Sequence, residues 1–315
     1  MSLPIELNER LSEYSYGYGV TREVEDALGS VGLQTVPFLP NLIHEAKLGF
    51  DAGFDLGETF SRQGTALMLQ FKLGQSLKRF VRKAPSLIKP PLRRPFWRFN
   101  VDTAEPDGQF ELLLKAEQDG AEVYYAAPRF TDWSHYLEIF KTKSVVDSSL
   151  LIRPSDIRSQ LVATGQADGS HRIVYDHVGV YVCSSPAEIR EVDLEDLVSS
   201  TSERARRGVP LGAVVRQLYE GLDKRDEVRR PIEPKPKRSS DDSGYERNLE
   251  AYLPGQLRPV VAGDRPSEPY LQRRRENALA QFRARSESEE AALAAVFATE
   301  AWAAGAQMIL VTPKE

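Results

Sequence analysis

A glutamine and a lysine one residue apart, Gln70-Phe71-Lys72, close the apolar run TALMLQF. Polar groups at the end of such a run are costly to bury unless they are paired or used. Carboxylates precede them. Asp51 and Asp55 stand 19 and 15 residues before Gln70, and Glu45 stands further upstream. Mg²⁺ takes oxygen ligands, usually one or two carboxylates with waters and a substrate phosphate. Asp51 or Asp55 would supply the carboxylate, Gln70 an amide oxygen and Phe71 a backbone carbonyl. Lys72 would sit by the scissile phosphate and stabilise the charge that develops there. Glu45 would bind a second metal or hold a water. The chemistry is metal-assisted phosphodiester hydrolysis, with Mn²⁺ able to replace Mg²⁺.

The elements around these residues are readable from their periods. GFDAGFDL alternates, with Phe50, Ala52, Phe54 and Leu56 on one side and Asp51, Gly53 and Asp55 on the other. In TALMLQFKL, Leu67, Leu69, Phe71 and Leu73 share a face, and Gln70 and Lys72 share the opposite one. The two runs predict an antiparallel hairpin joined by the polar loop GETFSRQG. Pro40 opens a short helix through Glu45 to Lys47 just before it. In this register the carboxylates and the Gln-x-Lys pair converge.

Downstream, four prolines in SLKRFVRKAPSLIKPPLRRPFWRFNV exclude one long helix and leave a short helix, a loop and a strand at FWRFNV. GQFELLLKAEQDG reads as a helix ended at Gly120, and EVYYAAP as a buried strand with Tyr124 and Tyr125 one in, one out. TDWSHYLEIFK is a helix with Thr131 as N-cap and a core stripe of Trp133, Tyr136, Leu137 and Phe140. SSLLIRPSDI, HRIVYDHVG and VYVCSSP read as strands of the same or an appended sheet. PLGAVVRQLYEGL is amphipathic through Leu211, Val214, Val215, Leu218 and Leu222. Near the N-terminus, Thr21 reads as the N-cap of REVEDALGS. From Glu268 to Ala304 the pattern is helical, broken near Ser286 in SESE and ended by Gly305, before a final strand QMILVTP.

Composition bounds the function. The chain of 315 residues is 41% hydrophobic and 28% charged, as for an ordinary globular protein. It contains no apolar run of the ~20 residues that a membrane-spanning helix needs. MSLPIELNERLSEY does not read as a secretory signal, and the cytosol is the expected location. Cys183 is the only cysteine, which excludes an internal disulfide and a cysteine-rich zinc site. The four histidines are dispersed.

The net charge of −5 argues against a nucleic-acid partner, but its distribution argues the other way. From Thr59 to Asn100 there is no Asp or Glu, and the window carries Lys78, Arg79, Arg82, Lys83, Arg93, Arg94 and Arg98 beside the Gln-x-Lys pair. A basic stripe on an acidic chain draws a polyanion to one place. The plain alternative is a solvated face partly paired with acids elsewhere. For Asp51 and Asp55 it is strand-end solvation, and for Lys72 a lysine whose stem lies on apolar surface.

An Asp, a hairpin and a Gln-x-Lys triplet, followed by a helix at 109–118 and a strand at 122–127, resemble the PD-(D/E)XK nuclease superfamily. The resemblance covers roughly residues 35 to 130. It is nearest the branch in which Gln replaces the second acid, as in Mrr-like type IV restriction endonucleases. The whole chain is also similar to proteins associated with phage defence. The resemblance implies an α/β (α+β) fold, with a restriction-endonuclease-like core of mixed central sheet flanked by helices, and a helical C-terminal region. It implies a Mg²⁺-dependent endodeoxyribonuclease acting on DNA in restriction or phage defence. Its catalytic residues would be Asp51, Asp55, Gln70, Lys72 and Glu45, and its metal ligands Asp51, Asp55 and Gln70. Gln70 in place of an acid lowers the charge of the site, so a catalytically silent nucleic-acid-binding or protein-interaction scaffold is the second reading. The expected organisation is a core at 1–145, added strands and helices at 146–225, a polar linker at 226–248 and a helical region at 249–315. A homodimer or a protein partner would suit the last of these.

Overall fold

A computed structural model describes residues 11–38, 56–78, 90–104, 108–183, 187–227, 268–284, 286 and 288–314. The chain runs α1 (Glu13–Ser30), β1 (Leu33–Phe38), α2 (Leu56–Ser61), β2 (Thr65–Phe71), β3 (Gln75–Leu77), β4 (Phe96–Asp102), α3 (Gln109–Gln118) and β5 (Glu122–Pro128). Then come α4 (Trp133–Thr142), β6 (Ser149–Ile152), α5 (Pro154–Ala163), β7 (Ser170–Tyr175), β8 (Val180–Val182) and β9 (Ala187–Ile189). The last elements are α6 (Leu194–Ala205), α7 (Leu211–Glu227), α8 (Glu268–Arg283), α9 (Glu289–Ala303) and β10 (Ala306–Pro313). The protein is thus of mixed α and β class.

TALMLQF and EVYYAAP are buried at every position. Strands buried at every position belong in the middle of a sheet with both faces covered. That is where they lie, as parallel neighbours in a mixed sheet of order β1-β10-β2-β5-β6. Every other pair in this sheet is antiparallel. Leu67, Leu69 and Phe71 pack with α1, α4 and α6 residues such as Tyr16, Val20, Tyr136 and Leu197. Ala66 and Met68 pack on the other side with α3, α7 and α9.

The expected hairpin is corrected here. β10 and β5 occupy the two edges of β2, so β2 has no edge left for a partner at 49–56. The segment read as the loop GETFSRQG instead begins in α2. The sheet also draws together parts of the chain that the sequence divides. β6 and β10 lie outside residues 1–145, and β10 sits between β1 and β2.

A second, wholly antiparallel sheet has the order β3-β4-β7-β8-β9. Trp97, Phe99 and Val101 of β4, with Ile173 and Tyr175 of β7, face the same core as Met68 and Tyr125. The buried guanidinium of Arg129 ties the two sheets: it donates to the carbonyls of Asp176 (2.8 Å) and Ser149 and to Glu191 (2.6 Å).

Several helix boundaries differ from the sequence reading for local reasons. Ser12, not Thr21, caps α1 by accepting from the Ser15 N–H at 3.0 Å. Thr21 lies inside the helix and donates to Gln307 at 2.9 Å. Asp132, not Thr131, caps α4, and Ser288 caps α9. SSLLIRPSDI splits into β6 and α5 because Pro154 takes the first helical position. The stripe on α4 is only partly core: Tyr136 is buried, while Trp133 and Leu137 are both 38% exposed. Among the described residues no helix is long and apolar enough to cross a membrane.

Candidate active site

The end of β2 carries the Gln-x-Lys pair. Alternation along the strand puts Gln70 on the face of Ala66 and Met68, and Lys72 continues that face one residue past the strand. The Lys72 amide donates to the Ala126 carbonyl at 2.9 Å, which extends the ladder with β5. Gln70 is 1% exposed and lies opposite Ala306 on one side and Tyr125 on the other. Lys72 is half-buried. By the strand's alternation Gln70 faces the buried α3, α7 and α9 layer that Ala66 and Met68 meet.

The amide of Gln70 is half satisfied. Its Nε2 donates to the Phe71 carbonyl at 3.0 Å, and its Oε1 is buried with no partner among the described residues. A buried acceptor left without a donor costs about 1–3 kcal/mol. The hydroxyl of Tyr125, the register partner of Gln70 on β5, is also buried without a partner among the described residues. Burial, and then the Glu111 charge, push the Tyr125 phenol well above its usual range, so it stays protonated. Its ring stacks on Phe99 at 6.0 Å. Two unpartnered polar atoms thus come from register partners on adjacent parallel strands.

The turn between α9 and β10 closes the other flank. Gly305 adopts φ +82, and a Cβ there would stand 3.2 Å from Gln70 Nε2 and 3.3 Å from Gln109 Nε2. Glycine is therefore required twice, for its dihedral and for the close approach. Gln109, the first residue of α3, donates from Nε2 to the Ala304 carbonyl and anchors that turn. The sequence pattern does not mark Gln109 or Tyr125 as site residues. Tyr125 was legible only as one of two adjacent tyrosines, and both prove buried, on opposite faces of β5.

Glu45, Asp51 and Asp55 lie outside the described residues, as do Arg79, Arg82 and Lys83. Lys78, Arg93 and Arg94 are exposed, at the end of β3 and before β4, and Arg98 is half-buried on β4. Among the described residues no group of three or more His, Cys, Asp or Glu could hold a metal ion. The orphaned Gln70 oxygen fits an oxygen-seeking cation. The Phe71 carbonyl, expected as a further ligand, already accepts from Gln70 Nε2 and has one lone pair left. No protein-family model, curated protein or solved structure matches this chain.

Proposed function

We propose that the end of β2 is the site of a Mg²⁺-dependent nuclease that hydrolyses phosphodiester bonds in DNA, in the setting of restriction or phage defence. The observation that carries this reading is the buried Gln70 oxygen without a donor, with Lys72 two residues on along the same face. An acceptor held in that state, beside a lysine, suits a cation and an anionic substrate together. Gln70 and one or both of Asp51 and Asp55 would hold the ion, with Glu45 near them. When bound, the ion would lower the pKa of a water and withdraw charge from the phosphate oxygens.

The chain's own residues have separable tasks. Lys72 neutralises the charge that grows on the phosphate as the water adds. Gln109 and Gly305 keep the Gln70 amide in place. The Tyr125 hydroxyl, protonated throughout, is a fixed hydrogen-bond donor on the same face. The exposed Lys78, Arg93 and Arg94 lie on the stretch that would meet the DNA backbone.

The test is conversion of supercoiled plasmid to nicked or linear form with Mg²⁺ or Mn²⁺. The reading expects cleavage that a chelator stops. Salt-sensitive DNA binding without cleavage under either ion would favour the silent binder, a reading consistent with the neutral Gln70.

A further inference from the structure

The second sheet turns one face to the core and the other outward. The registers Gln75↔Arg98, Arg98↔Val174 and Asn100↔Arg172 bring Gln75, Arg98, Asn100 and Arg172 onto the outer face across three strands. One end of this face is closed, since Phe96, Val174 and Tyr181 are buried. The other is open: Asn100 and Arg172 are exposed, and Arg98 is half-buried.

The two arginines are close, with Asp102 on the other diagonal of Arg172. They are diagonal neighbours on antiparallel strands, a relation that spaces Cα atoms by about 7–8 Å. Arg98 is fixed by Gln75, whose Oε1 accepts from its Nε at 3.0 Å and from Nη2 at 2.6 Å. That partner is neutral. Neither Arg98 nor Arg172 forms an ion pair among the described residues. Burial, and then the facing Arg172 charge, pull Arg98 below the usual guanidinium range. Asp102, further along β4, uses one oxygen to accept from the Ala104 N–H at 3.0 Å.

Two guanidinium groups held together without a carboxylate between them favour an anion with several oxygens. Further exposed cations, Lys78 after β3 and Arg93 and Arg94 before β4, lie past the closed Phe96 end of the face. A single small anion would satisfy one pair. Cations at both ends of the face match a chain that repeats its charge.

We propose that the open half of this face grips the sugar–phosphate backbone of a nucleic acid, with Arg98 and Arg172 as paired phosphate contacts and Asn100 as a neighbouring donor. The inference rests on the nucleic-acid reading above and deepens it by stating where the substrate is held. It adds Arg172 and Asn100 to the basic stretch, and Arg172 lies far from that stretch in sequence.

The experiment is fluorescence anisotropy with a short labelled duplex and its matching single strand, from about 50 to 200 mM salt. Arg98→Ala and Arg172→Ala are each expected to weaken binding several-fold, equally on unrelated sequences. Each should lower the slope of log affinity against log salt by about 1. Arg172→Lys should keep the slope. Thermal melting checks that each variant is folded, and the exposed Arg172→Ala decides the matter if Arg98→Ala is not. Wild-type affinity and slope in Arg172→Ala would overturn the strip even if the protein cleaves DNA. Weakened binding in the variants, with no cleavage by the wild type, would keep the strip and remove the hydrolysis. Failure of the wild type to bind either probe would overturn both.

Discussion

Gln70 is a buried neutral amide whose carbonyl oxygen has no donor among the described residues. Gln70→Glu tests whether that oxygen faces a cation. A carboxylate in a position 1% exposed is costly alone and much less so beside a metal. The variant should melt below the wild type without metal and gain more in melting temperature from Mg²⁺ or Mn²⁺ than the wild type does. Equal gains, or none in either protein, would count against metal binding at Gln70. A second residue sets a pH limit away from this site. His171 is 5% exposed. Burial pulls its pKa down, although Ala167, Asp168 and Asp102 act the other way. The unfolded chain therefore binds this proton more readily than the folded one. The stability tied to neutral His171 is complete above about pH 6.5 and is lost as pH falls toward the folded value. Urea unfolding of the wild type and His171→Leu at pH 7.5 and 5.0 should show a smaller loss in the variant, and an equal loss would refute the assignment.

The elements most legible in the sequence were those whose apolar period is strong. β2, α3, β5, α7 and β10 stand where their patterns place them, because each buries large side chains against a single layer or between two. Harder to see was α6, whose buried face uses Leu197, Thr201 and Ala205, two of them small and one polar. Strand pairing was the least legible. TALMLQF reads equally well as half of a local hairpin or as a central strand, and nothing local reveals that a strand some 240 residues later fills its edge. The Gln-x-Lys pair could be found because its face follows from alternation alone. Gln109 and Gly305 reach it through α3 and the α9–β10 turn, which only the tertiary fold provides. One charged cluster binds elements that the sequence keeps apart. Glu122, fully buried on β5, accepts from Tyr124 and Arg153 at 2.6 Å and from Ser200 at 2.9 Å, and also pairs with Arg204. Removing the acid would leave Arg204 facing a buried gap and Arg153 with only the Glu117 ion pair, at 3.5 Å, among the described residues. Glu122→Ala should cost about 3 kcal/mol in urea unfolding, the low end for a broken buried pair because both arginines are partly exposed. A loss well under 1 kcal/mol would show that the cluster is peripheral to stability.

At the scale of the molecule, β10 makes the two ends of the chain one structure. It lies between β1 and β2, and its Met308, Ile309, Leu310 and Val311 are all buried. Truncation after Ala304 would expose an edge of β2 and remove the strand opposite Gln70. The shortened chain should lose its cooperative thermal transition, and a sharp transition near the wild-type temperature would contradict this account of the core. The same arrangement joins the candidate site to the whole fold. Gln70 and Lys72 end a central strand, the α9–β10 turn covers their flank, and the outer face of the second sheet carries the cations. The most direct measurement is the rate of Mg²⁺-dependent plasmid cleavage by the wild type and Lys72→Ala, with DNA affinity measured on the same samples. The account predicts a rate at least about 100-fold lower in the variant with affinity little changed, the size expected when a charge-stabilising group is removed. Equal rates, or no cleavage by the wild type with either Mg²⁺ or Mn²⁺, would contradict it.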